Sequence, residues 1–352
     1  MEKYKILKDL VGFNTIKDKE NKEIIDYLEK YLLSLGFKTE YKEKALIMSI
    51  GNNPKFGFLG HTDTVDYAKD KWKKEPFKLT IEDGNIYGLG VCDMKGGIAA
   101  MLDAVTELKK EKKELNLKLY FTYSEEVTFA GMYDVLKNEK EFPDVMIFGE
   151  PTNNEVLVGS KGILEFELKF IGKSAHSSTP DKGISANMNA IKFINELDEF
   201  YQKEIKKDVN NNFETNYTTM NVGTIHGGTN KNSVADECIV TIDFRTVKEE
   251  HTNKILEEVN KQKEKYDIEI KITENINPFI NEIENIPTKT ANFITEASLL
   301  INNNKKENIA QKDTKITNKI ILGTGPITAH EVDEYITEES YEKLVKIYKK
   351  LL

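Results

Sequence analysis

An apolar run ends on a histidine and an aspartate two residues apart in "FGFLGHTDTV" (56–65), and four other segments carry the same kind of chemistry. The glycine-rich turn "YGLGVCDMKGG" holds Asp93, "LYFTYSEEV" ends in Glu125 and Glu126, "VMIFGEP" ends at Glu150, and "IILGTGPITAHEVDEY" brings His330 in behind its apolar run. Imidazole nitrogens and carboxylate oxygens are a donor set that suits zinc or a similar borderline divalent ion. Charge points the same way. Asp63, Asp93, Glu125, Glu126 and Glu150 would gather about five negative charges, and burying unpaired charge costs several kcal/mol for each. No arginine lies in any of these stretches to neutralise them, whereas two divalent cations would nearly balance the sum. Each piece alone has an ordinary reading: a polar strand end, a solvated glutamate pair, a turn. The joint occurrence weighs against that, because only five histidines exist in the chain and His61 and His330 both fall at such ends.

The elements that must position these groups follow from periodicity. "NKEIIDYLEKYLLSLGF" (21–37) sets Ile24, Ile25, Leu28, Leu32 and Leu35 at helical spacing, with Gly36 as the stop. "ALIMSIG" and "KFGFLG" read as buried strands, "KGGIAAMLDAVTELKK" as a helix, "LNLKLYFTYS" as a strand, "GMYDVLKNE" as a short helix and "DVMIFGEP" as another strand. Continuous apolar strands alternating with helices imply an α/β sheet covered on both faces. In such sheets ligands sit beyond the carboxyl ends of the strands, which is where the acids and histidines fall. From residue 162 the strands alternate apolar and polar residues instead, in "ILEFELKFIG", "TTMNVGTIHGG", "ECIVTIDFRTV" and "DIEIKITEN", with helices at "NMNAIKFINELDEFYQKEIKK" and 247–265. Strand–helix–strand–strand–helix–strand is the ferredoxin-like, α+β order. We therefore expect a catalytic domain in two parts, 1–161 and 276–352, interrupted by an inserted domain over 162–275. The polar stretch 302–315 reads as a surface loop, and His251, on a charged helix, as solvated.

Bulk properties narrow the class. A chain of 352 residues with 50 basic and 59 acidic side chains, net charge −9, lacks the basic surface a nucleic-acid binder needs, so no nucleic-acid partner is expected. No run approaches the ~20 apolar residues of a membrane span, the first residues "MEKYKILKDLVGF" lack the apolar core of a signal peptide, and no membrane partner is expected. Cys92 and Cys238 form neither a disulfide framework nor a CxxC site, which leaves a reducing, cytoplasmic location as the expectation.

The segments "GHTDTV", "YGLGVCDMKGG", "SEEV", "FGEPT", "GKSAHSS", "GGTNKNSV", "DFR" and "AHEVDEY", in this order over nearly the whole chain, resemble the metallopeptidase family of acetylornithine deacetylase, succinyl-diaminopimelate desuccinylase, aminoacylase and glutamate carboxypeptidase. The resemblance implies a zinc-dependent aminopeptidase-like catalytic domain, a mixed sheet flanked by helices, with an inserted lid that dimerises. It implies two divalent metal ions, zinc or cobalt, bridged by Asp93; His61 and Glu150 complete the protein ligands of one, Glu126 and His330 those of the other. Asp63 then supports His61 by accepting a proton from its second ring nitrogen, and Glu125 is the general base. His176 supplies an oxyanion donor, typically from the partner subunit, and Asn232 and Arg245 hold the substrate, the arginine through its planar fork on a carboxylate. The implied reaction is cleavage of the amide of an N-acyl amino acid or short peptide, most like acetylornithine deacetylase. Succinyl-diaminopimelate desuccinylase and dipeptidase or carboxypeptidase are the alternatives, with a non-catalytic binding protein on the same scaffold as the reading from another class. The chain departs from the family pattern at Leu89, where arginine is frequent, at Ser124, where aspartate often precedes the glutamate pair, and in "NFITEASLL", a loose match to a Gly-Thr-Asp-Ala stretch near the substrate.

Overall fold

The computed structural model describes residues 3–16, 21–300 and 318–352. The chain divides into two compact units, the first built from Met1–Val158, Asn281–Pro287 and Thr295–Leu352, the second from Gly159–Ile280 and Thr288–Ile294. Residues 302–315 lie outside the described residues.

The first unit contains helices α1 (Lys5–Gly12), α2 (Lys22–Ser34), α3 (Lys95–Lys110), α4 (Ala130–Asn138) and α7 (Glu338–Leu351). Its strands are β1 (Lys38–Lys42), β2 (Ala45–Ile50), β3 (Phe56–His61), β4 (Thr80–Glu82), β5 (Asn85–Tyr87), β6 (Leu117–Thr122), β7 (Val145–Phe148), β14 (Asn318–Ile321) and β15 (Tyr335–Thr337). Six strands form one mixed sheet in the order β1-β2-β6-β3-β7-β14. β6, β3, β7 and β14 run parallel to one another, while β2 pairs antiparallel with β6 and β1 antiparallel with β2. All six residues of β6 and five of six in β3 are buried, as strands covered on both faces require. The core gathers Leu7, Leu28, Phe58, Leu102, Leu119 and Leu344 around the sheet, each contributing about 1.5–3 kcal/mol on burial. A small antiparallel sheet, β15-β5-β4, stands apart from the large one.

The second unit holds β8 (Gly159–Ser160), β9 (Gly162–Ile171), α5 (Ala186–Phe200), β10 (Thr219–Gly227), β11 (Glu237–Thr246), α6 (Glu249–Tyr266), β12 (Ile268–Ile276) and β13 (Phe279–Ile280). Its sheet is antiparallel throughout, in the order β10-β11-β9-β12. β9 and β11 alternate buried and half-exposed residues, so one face takes Phe166, Leu168, Phe170, Val240 and Phe244 into a core with Phe193 of α5 and Ile255 and Val259 of α6. Paired β8 and β13 close the unit outside these alternating strands.

His251 corrects an expectation. It is fully buried, because it shares the inward face of α6 with Ile255 and Val259 at spacings of four. The high charge of the rest of that helix conceals the stripe. Among the described residues, no helix is long and apolar enough to cross a membrane.

Candidate metal centre

The parallel register brings the chemistry together. His61, the last residue of β3, is the register partner of Thr122 at the end of β6, and Leu59 is that of Phe148 at the end of β7. Parallel strands in register finish at the same edge, so His61, the Glu125–Glu126 pair that follows β6 and Glu150 that follows β7 emerge together. Asp93 arrives from the glycine-rich turn immediately before α3. That helix packs directly on the end of β7: a Cβ at Gly97 would stand 2.2 Å from the carbonyl oxygen of Gly149, an approach only glycine permits. His330 follows β14, and its backbone, like that of Ser124 just before the glutamate pair, lies in the left-handed region (φ 64° and 63°). Such conformations persist in non-glycine residues where the surroundings over-determine them, and they cluster at functional sites.

The geometry centres on Asp93. One of its carboxylate oxygens is 3.1 Å from Nε2 of His61 and the other 3.4 Å from Nε2 of His330. Each imidazole has a further acid beside it. Glu150 lies 3.9 Å from Nε2 of His61, and Glu126 lies 3.2 Å from Nε2 of His330. Glu125 is 4.0 Å from His61 Nε2 on a side chain only 10% exposed. His61 is wholly buried, while His330 is exposed and marks the side open to solvent.

Asp63 is placed differently from expectation. His61 Nδ1 faces the main-chain carbonyl of Asp63 at 3.0 Å, and the Asp63 carboxylate stands off at 3.6 Å. That carboxylate instead accepts the backbone N–H groups of Glu125 (3.2 Å) and Glu126 (3.1 Å). A carbonyl acceptor on Nδ1 fixes the same tautomer, with Nε2 free for a ligand, so Asp63 braces the glutamate pair as well as the histidine.

Electrostatics shows what the cluster lacks. Burial, reinforced by neighbouring carboxylates, pushes Glu125 and Glu150 well above the usual carboxylate range, and burial raises Glu126. Against burial, hydrogen bonds from His330 and His61 hold Asp93 below that range. Hydrogen bonds to Asp93 and Glu126 push His330 up to about 10. Acids that retain protons and imidazoles that gain them both offset surplus negative charge, which divalent cations would neutralise directly. The spacing fits such ions. Donors about 2.0–2.2 Å from a tetrahedral ion stand roughly 3.3–3.6 Å from one another, and the separations around Asp93 run from 3.1 to 3.9 Å. His61, Asp93 and Glu126 also offer ligand atoms all within 4.8 Å of one another. The residues present therefore fit a metal pair: His61, Asp93 and Glu150 could hold one ion, and Asp93, Glu126 and His330 the other.

Two buried acids beside this cluster were assigned no role from the sequence. Glu296 is 1% exposed; one oxygen accepts the Thr122 hydroxyl at 3.0 Å, the other has no partner among the described residues, and burial pushes the group up to about 7. Its only signal was its place in the loosely matching "NFITEASLL". Glu334, next to last in the "AHEVDEY" segment, binds the turn that carries Asp93, a contact that no local pattern announces.

The remaining candidates lie in the second unit. His176 is exposed, and its Nδ1 accepts the N–H of Ser178 at 3.1 Å and faces the Ser178 hydroxyl at 2.7 Å, which leaves the proton on Nε2. The main-chain carbonyl of Asn232 accepts the N–H of Ser177 at 3.0 Å, so His176 and Asn232 share one edge. Arg245, the single arginine of the chain, sits toward the far end of β11, roughly 27 Å of strand rise from Glu237, where the segment carrying Asn232 enters the strand. It is the register partner of Ile163, one residue into β9. Its guanidinium is already engaged by Asp243, with Nε 3.0 Å and Nη2 2.7 Å from that carboxylate.

Residues 57–352 match the model described as peptidase family M20/M25/M40. The acetylornithine deacetylase of Pasteurella multocida is 30% identical over 366 aligned residues, covering 95% of this chain and 91% of that protein. That of Buchnera aphidicola is 32% identical over 244 residues, and there the match spans 66% of this chain and 63% of the relative's length. Among solved structures, an M20 family metallo-carboxypeptidase from Sulfolobus solfataricus superposes with a TM-score of 0.80 at 21% identity, covering 99% of this chain and 98% of that one, which shows a common fold.

Proposed function

The chain belongs to peptidase family M20/M25/M40, and from this premise we propose that it hydrolyses the amide bond of an N-acyl amino acid with two divalent cations, zinc or cobalt. The observation that carries the reading is the Asp93 carboxylate, whose two oxygens each face a different histidine, each histidine with its own further acid. Two bound cations would acidify a water and polarise the scissile carbonyl. This chain's own residues do the rest. Glu125, its carboxyl raised by burial, takes the proton of the attacking water and returns it to the leaving amine. His176, with its proton on Nε2, donates to the oxyanion, and Asn232 beside it holds the substrate. Arg245 receives the substrate carboxylate in its fork, exchanging Asp243 for it.

The strand-length separation of Arg245 from His176 and Asn232 supports a homodimer in which the two ends of β11 serve different active sites. Among the described residues β10 is an open edge of its sheet, and Ile225 on it, with Ile184, Met188 and Ile191 on and before α5, is exposed by 46–53%. An open edge beside apolar side chains suits a second copy of the same chain.

Acetylornithine deacetylase is the branch favoured. A desuccinylase must bind a second carboxylate, and the only arginine is already accounted for. The test is amine release from N-acetylornithine, other N-acetyl amino acids, N-succinyl-diaminopimelate and dipeptides, with added zinc or cobalt and again after chelation. Metal-dependent release from acetyl substrates is expected. Faster cleavage of the succinyl compound overturns the branch, and no cleavage despite bound metal overturns the enzyme reading in favour of a binding protein.

A further inference from the structure

Glu334 is 2% exposed, and its carboxylate is spent entirely on backbone. One oxygen accepts the N–H of Gly90 at 2.7 Å; the other accepts those of Cys92 at 2.7 Å and Asp93 at 3.0 Å. The Glu334 main-chain carbonyl takes a fourth donor, Gly88 N–H, at 3.2 Å. Successive amides can point at one anion because Gly90 adopts φ 82°, which turns the chain into a concave nest. Here the acceptor is a side chain of the protein itself. The same residue borders the His330 turn, which Thr328 closes: its hydroxyl donates to the Tyr335 carbonyl at 2.6 Å and accepts the Tyr335 N–H at 3.0 Å. Tyr335 in turn is the register partner of Tyr87, directly before the glycine turn. Asp93 and His330 are 237 residues apart in sequence, yet one buried carboxylate joins the segments that carry them.

We propose that Glu334 is the positioning residue of the metal pair: by fastening the Asp93 turn to the His330 turn, it sets the separation between the bridging carboxylate and the exposed histidine. The proposal rests on the metal-pair reading above. Glu334 is not among the residues that would hold the ions; its hydrogen-bond partners are backbone amides. It acts through Asp93, in the manner of residues that orient a ligand from behind and whose loss typically costs about 10–100-fold in metal affinity or activity. A carboxylate is required because three N–H donors converge on it; a glutamine would turn an amide N–H toward at least one of them.

The test compares wild type with E334Q. Zinc and cobalt affinity would be measured by chelator competition, the visible spectrum of the cobalt-loaded protein recorded, and metal-free unfolding followed by circular dichroism. We expect E334Q to fold, to bind the ions about 10–100-fold more weakly, to show an altered cobalt spectrum and to recover activity with excess metal. A folded E334Q with wild-type affinity and spectrum overturns the proposal. If E334Q does not fold, hydrogen exchange in wild type decides: slow exchange in a peptide spanning 86–94 supports the nest, and exchange as fast as an open loop refutes it. A wild type that binds no divalent ion removes the metal reading itself, an outcome distinct from a Glu334 failure because it appears before any substitution.

Discussion

His61 and His251 are both completely buried imidazoles with an aspartate close by, and they titrate in opposite directions. At His61 four carboxylates lie within 4.0 Å of the ring nitrogens, and against burial they raise the ring well above its ordinary value. At His251 burial lowers the ring despite Asp208, 3.1 Å from Nε2. There Thr218 accepts the Val247 N–H and turns its hydroxyl to Nδ1 at 2.7 Å, so each ring nitrogen has one partner and the site is complete. Lys248 also pairs with Asp208. Acids outnumber bases at the first site and not at the second. That surplus, rather than burial or the presence of an aspartate, distinguishes a centre that calls for cations from a satisfied structural histidine.

The contrast can be broken most forcefully at Glu125. Replacing it by glutamine should lower turnover by about 10²–10⁴-fold while metal content stays unchanged; steady-state rates alongside elemental analysis read both, and undiminished turnover would refute its role as base. Next comes the pair of histidines themselves. His61→Ala should forfeit one of the bound ions, whereas His251→Asn should keep both and lose only stability, by about 1–3 kcal/mol for its unpaired neighbours. Equal metal contents in the two variants would erase the distinction between the two histidines.

Backbone packing around the first site offers a milder perturbation. Gly97→Ala puts a methyl group 2.2 Å from the Gly149 carbonyl oxygen, and because the obstacle is main chain we expect a loss of about 1–3 kcal/mol with weakened metal binding. A melting temperature and metal affinity both equal to wild type would show that α3 does not need this approach.

The smallest effect is on pH. Burial depresses His251 below its ordinary 6.5, so the unfolded chain takes up the proton first. Its contribution is therefore intact above the unfolded value and is lost as pH falls through 6.5 toward the lower folded value. Thermal melts of metal-free protein from about pH 7.5 down to about pH 5 should show a decline that is shallower in His251→Asn. Parallel curves would mean that other groups dominate.

Much was legible in the chain because it depends on neighbours in sequence. Largely apolar runs marked β3, β6 and β7 as strands buried on both faces, and period-two alternation marked β9 and β11 as half-solvated. Helical spacing in 21–37 and 95–110 appears as α2 and α3. The acids and histidines at the strand ends were visible as a set, since residue type and strand end are both local properties. Short β4, β5 and β15 were not read, because three residues carry too little pattern to stand out.

What the amino-acid sequence determined by itself was thus the order of elements and the kind of donors delivered at their ends. Tertiary structure alone decided which donors meet. It gave one Asp93 oxygen to each histidine, turned the Asp63 carboxylate to the Glu125 and Glu126 amides, buried Glu296 and His251, closed Asp243 on Arg245 and set Glu334 beneath the Asp93 turn. Most of these are contacts between residues brought together by register and helix packing, and all depend on where a side chain points. Spacing along the chain reports which face of an element a residue occupies, but not what stands opposite that face once the fold has closed.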